Sequence, residues 1–165
     1  MNRLNIFIGL SGLLCGTLVY LADRPPEQAY FIYSSVIDIS LYTTLPQLFG
    51  VIGNNLPSFF HVFSFILLTA GFCSCRKRGY IIICVSWLLV DCFFELGQKY
   101  NNLAVTFIPQ WFEGAPYLEN TWNYFCLGTF DVLDVVAIIL GSMTAYFILI
   151  LTSEGGKRNE KTREA

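Results

Sequence analysis

Four apolar runs dominate the chain: Leu4–Ala22, Ser58–Cys75, Gly79–Gln98 and Asp131–Thr152. Each is near the ~20 residues that carry a helix across a bilayer, so each predicts a transmembrane helix. The expected fold is all-α: a polytopic membrane protein with four helices in one bundle, a single domain over residues 1–152. The stretch 30–53 is also apolar, but it contains Asp38, Pro46, Gly50 and Gly53. A proline breaks or kinks a span, so this stretch predicts one or two short helices on the membrane surface, with a fifth span as the alternative. Residues 153–165, "SEGGKRNEKTREA", read as a charged, unstructured tail.

Composition supports the membrane class. Only 13% of residues are charged, about half the share of a soluble domain, and the mean hydropathy is +0.55. A net charge of -2 excludes a nucleic-acid binder, which needs a basic face. The six cysteines fall mostly within or beside apolar runs, as small apolar fillers do, and not in a disulfide framework. Cys73 and Cys75 lack a second pair or a nearby histidine, so they do not read as a zinc site. The first run is longer than the core of a signal peptide and has bulky Tyr20 near its end, so it reads as an uncleaved first helix.

Charge gives the expected orientation. Cytoplasmic loops carry excess Lys and Arg. Arg3, the cluster Arg76–Arg78 and the tail with Lys157, Arg158, Lys161 and Arg163 share one side if there are four spans. Both termini are then cytoplasmic, and the segments 23–57 and 99–130 face outward. The second of these carries Trp111, Phe112, Tyr117, Trp122, Tyr124 and Phe125, which suits a loop in the headgroup layer, with Glu113 and Glu119 solvated.

With the helices oriented, the polar residues of the spans converge. At 1.5 Å per residue, Glu95 lies roughly 25 Å from the inner edge of its helix. Asp91, Glu95 and Gln98 are spaced i, i+4, i+7 and share one helix face, with Phe93 and Phe94 pointing elsewhere. Asp131 and Asp134 begin the antiparallel last helix, and His61 lies near the start of the second. Asp131 also suits an N-cap, and a polar group can glue neighbouring helices. Ionisable groups within a span nevertheless mark a functional site by default. The candidate ligand-binding residues are therefore His61, Asp91, Glu95, Gln98, Asp131 and Asp134, and Glu95, Asp134 and His61 are the candidates for catalysis. Small residues over Gly141–Ala145 read as a helix-packing surface.

The segments "LPSFFHVFSFILL" (56–68), "FFELGQ" (93–98) and "GTFDVLDVVAIILG" (128–141) resemble the VanZ-like family of small membrane proteins. The family pattern falls on His61, Glu95, Gln98, Asp131, Asp134 and Gly141. Many members carry an Arg just before the Asp segment, where this chain has "LGTF", and an Asn where it has Ile138. The resemblance implies a bacterial envelope protein of the inner membrane, in a family named for low-level glycopeptide resistance, without giving a reaction.

Three functions fit these residues. The first is a non-enzymatic envelope protein whose acidic site binds a group of a membrane lipid, a glycan, a cell-wall precursor or a partner membrane protein. The second is an intramembrane enzyme using paired carboxylates as acid and base, with His61 moving a proton. No cofactor motif is evident, but the Glu and Asp side chains can hold a hard divalent cation such as Mg²⁺. No nucleophile or phosphate clamp is recognisable, since the cations lie mostly on the cytoplasmic side. The third is proton-coupled transport, against which every acidic group of the spans lies in one leaflet.

Overall fold

The computed structural model describes residues 1–25, 40–44, 49–73, 75, 77–116 and 118–163. Four long helices form the molecule: α1 (Arg3–Asp23), α3 (Leu56–Cys73), α4 (Lys77–Lys99) and α7 (Val132–Arg163). Short helices α2 (Gly50–Gly53), α5 (Asn101–Ala104) and α6 (Thr121–Leu127) lie between them. The four long helices are each long and apolar enough to cross a membrane, α7 over Val132–Ser153. The chain is an integral membrane protein of all-α class.

Helix α3 is the hub, packed against α1, α4 and α7. Its contact with α1 is made by glycines. Gly9, Gly12 and Gly16 are buried on one face of α1. A Cβ at Gly12 would lie 2.7 Å from Ser64 Oγ, and one at Gly16 would lie 2.7 Å from Phe60 Cβ. Between helices already immersed in lipid, association rests on such close packing. On the other side of α3, Gly141 of α7 sits against the Phe59 carbonyl, 2.6 Å from where its Cβ would be. Ala145 is fully buried, so the predicted packing role of Gly141–Ala145 is observed.

The core joins α3, α4 and α7 through Val62, Ile66, Leu67, Cys84, Ile138, Ala145 and Leu149. The opposite faces carry exposed Phe7, Leu10 and Leu14 of α1, Ile82, Leu89 and Phe93 of α4, and Leu140, Met143 and Phe147 of α7. That inverted surface suits hydrocarbon as the solvent. All six cysteines are free.

Two expectations change. Helix α7 does not stop at Thr152 but continues to Arg163. Extending a helix needs no new nucleus, and the Lys, Arg and Glu of this stretch are good helix formers. The outer segment 99–130 is not a plain interfacial loop. Trp111 and Trp122 are exposed as expected, but Phe125 of α6 is buried. It fills the gap left by Gly97, where an added Cβ would meet the Phe125 ring at 2.5 Å. Tyr117 and most of the predicted surface segment 30–53 lie outside the described residues. Within that segment, Phe49 N donates to Asp23 Oδ2 at 2.9 Å, tying α2 to the end of α1.

Candidate functional site

The C-terminal ends of α1 and α4 and the N-terminal ends of α3 and α7 line a cavity of about 740 Å³. All six residues expected from the sequence, His61, Asp91, Glu95, Gln98, Asp131 and Asp134, line it. The antiparallel packing of α4 against α7 across α3 brings the polar end of each helix to the same level. Helix α6 and the following Gly128 cover it. An added Cβ at Gly128 would run into the Tyr124 backbone carbonyl and lie 2.8 Å from the Gln98 carboxamide, so glycine suits the close turn by which α6 ends beside α4.

Most of the carboxylates are held by protein partners. Ser58 Oγ donates to Asp134 Oδ1 at 2.8 Å. Asn55 Nδ2 donates to the same atom at 3.1 Å and to Asp131 Oδ2 at 3.3 Å. Asp131 also caps α7, where its Oδ1 accepts from Leu133 N at 2.9 Å. Its capping role and its place in the cavity are thus both real, as a side chain with two oxygens allows. His61 Nδ1 lies 3.0 Å from Asp91 Oδ2. An ionised Asp91 only accepts, which puts a proton on Nδ1 and leaves Nε2 as the second polar atom of the ring. The His61 side chain is half exposed, and Phe65 (4.6 Å between ring centres) and Trp87 (6.5 Å) flank it.

Glu95 differs from the rest. Its residue is 6% exposed, and Oε2 is buried with no hydrogen-bond partner among the described residues. The other such atoms belong to Asn5 and Ser64, which are not among the cavity-lining residues. A buried carboxylate oxygen without a donor is costly. Among the described residues it is the one buried carboxylate oxygen of the cavity-lining groups without a hydrogen-bond partner.

Asn55, Ser58, Tyr124 and Arg24 line the cavity without having been expected there from the sequence. Arg24 is a cation on the cavity itself, where the sequence pointed to none in particular. Its guanidinium donates to the Asn54 carbonyl at 2.7 Å and stacks over the Tyr20 ring at 5.0 Å. Among the described residues it forms no ion pair. Phe94, expected to point away, lines the cavity wall and stacks on Phe125 at 5.9 Å. Burial pushes the Tyr124 phenol well above its ordinary value, the charges of Glu95, Asp134 and Asp91 push it further, and Arg24 partly offsets them. Tyr124 therefore stays a neutral phenol.

Among the described residues, no three His, Cys, Asp or Glu side chains come together to hold a metal ion. Asp131 and Asp134 instead share the Asn55 amide.

No family model, curated protein or solved structure matches this chain.

Proposed function

We propose that the chain is a VanZ-like protein of the bacterial inner membrane, both termini cytoplasmic, whose outer-end cavity binds a group of a lipid, a glycan or a peptide. Envelope precursors and partner membrane proteins offer such groups. The observation that carries this reading is Glu95: a buried carboxylate oxygen without a protein donor, in a cavity of about 740 Å³ whose other carboxylates have theirs. Buried polar atoms are as a rule paired, and among the described residues Glu95 is the exception that borders the cavity. A site that leaves an acceptor open is organised for something that brings a donor.

Native mass spectrometry of the detergent-extracted protein tests this. The wild type retains a small molecule or lipid through extraction, and Glu95→Gln retains it at least about tenfold less, the worth of one charge-assisted hydrogen bond. Equal retention by the two proteins, or none by either, contradicts the proposal.

A second reading, an intramembrane enzyme acting on a lipid or envelope precursor, is favoured by one observation. The His61–Asp91 pair has the form of a base held by a carboxylate, within a cavity that also contains Glu95 and Asp134. It requires turnover of a lipid substrate that His61→Ala abolishes. Turnover unaffected by that change removes it.

A further inference from the structure

We infer that the cavity takes a primary ammonium group carried beside a phosphate, the head-group chemistry of an aminophospholipid. This rests on the ligand-binding reading above and names the ligand class.

The inference starts from what the cavity lacks. Asp91 is held by His61, Asp131 by Asn55 and its own helix end, and Asp134 by Asn55 and Ser58. Among the described residues Glu95 is the one carboxylate of the cavity with no side-chain hydrogen bond, and its Oε2 is buried without a donor. The missing group must therefore donate a hydrogen bond. Four carboxylates face one guanidinium, so the field around that acceptor favours a positive donor. A divalent cation would need several oxygens converging on one point, and the described groups do not converge. An ammonium needs only one good carboxylate and has N–H groups for further acceptors. A quaternary ammonium has the charge without the N–H, and so leaves Oε2 unsatisfied.

Arg24 supplies the other half. It stands just past the end of α1, at the level where a spanning helix leaves hydrocarbon for the headgroup layer. It lines the same cavity as Glu95, acts electrostatically on the same Tyr124 phenol, and pairs with no carboxylate among the described residues. A guanidinium free of carboxylates is the natural partner of a phosphate, because its planar fork matches the phosphate oxygens. One open anion and one open cation on a single cavity describe a zwitterion. Hydroxyl-rich head groups without an amine can donate to Glu95 but bring no positive charge to a cavity with four carboxylates.

The test uses the full-length protein in detergent. It is titrated in turn with dioleoyl phosphatidylethanolamine, phosphatidylcholine and phosphatidylglycerol, and with water-soluble glycerophosphoethanolamine as competitor. Retention is read by native mass spectrometry. The wild type is expected to retain phosphatidylethanolamine about tenfold better than either other lipid. Glu95→Gln abolishes that preference without losing the helical spectrum. Arg24→Gln weakens phosphatidylethanolamine about tenfold. Competition by glycerophosphoethanolamine at equal concentration assigns the head group alone as the ligand, and competition by the diacyl lipid only assigns the membrane lipid; both support the ammonium–phosphate chemistry. Equal retention of phosphatidylglycerol and phosphatidylethanolamine, or a preference that survives Glu95→Gln, overturns it. Lipid bound without amine selectivity but lost in Glu95→Gln would leave the ligand-binding reading standing and remove only this inference.

Discussion

Asp134 and Glu95 are both carboxylates on membrane helices, both more than nine-tenths buried, and both line one cavity. Their surroundings separate them. Asp134 accepts from two side chains on the start of α3. Removing it leaves Asn55 and Ser58 with unmatched donors, so Asp134→Ala should destabilise the protein by about 1–3 kcal/mol. Glu95 Oε2 has no protein donor to lose, so Glu95→Gln should leave stability unchanged or slightly raised, as at sites that hold strain for function. Thermal unfolding in one detergent compares the two. A Glu95→Gln loss as large as that of Asp134→Ala would show that Glu95 is a structural residue. Spacing alone made the stripe Asp91, Glu95 and Gln98 legible, since i, i+4, i+7 fixes a shared face whatever surrounds it. Asn55 and Ser58 were not legible. They lie at the polar start of a span, where amides and hydroxyls are ordinary, and nothing local to them points at Asp134, 79 and 76 residues away in the chain. Arg24 was hidden for the same reason: a charge at a helix end reads as the end of the span.

Among the elements, α1 has the closest fit. Three buried glycines let it lie against α3, and α3 in turn positions His61, Ser58 and the preceding Asn55. Gly12→Val puts atoms where Ser64 Oγ and the Phe63 ring already are, at 2.7 and 3.0 Å from the first added carbon. It should separate α1 from α3 and cost roughly 1–3 kcal/mol or more. Leu10→Val, on the lipid-facing side of the same helix at 53% exposure, should cost well under 1 kcal/mol. Unfolding by SDS titration distinguishes them, and equal effects would remove the glycine contact from this description. The four spans themselves were legible from length and apolarity. Their partners were not, because every face of a membrane helix is apolar and periodicity does not say which face meets protein. Only the small residues of α1 and α7 carried that information, and those of α1 gained their meaning from the geometry of α3.

At the scale of the molecule, polar groups occupy one end of an apolar bundle, and the packed core of α3, α4 and α7 lies beneath them. Our proposal that this end faces outward rests on the charge asymmetry of the sequence. In a variant lacking the native cysteines, a cysteine at exposed Glu113 should react with a membrane-impermeant maleimide in intact cells. A cysteine retained at position 73, beside the basic connector, should react only after permeabilisation. The reverse pattern would invert the topology. Convergence at one end was legible because consecutive spans of a membrane protein alternate in direction. The cover made by α6 was not, because its aromatic residues suit an interfacial loop equally well, and only Phe125 against Gly97 shows which of them turns inward.

The central claim is that Glu95 holds an acceptor open for a ligand. A crystal structure grown from a lipid mesophase containing phosphatidylethanolamine tests it most directly. The account predicts non-protein density within hydrogen-bond distance of Glu95 Oε2, reaching toward Arg24. A Glu95 side chain turned onto a protein donor, with only water between it and Arg24, would contradict it.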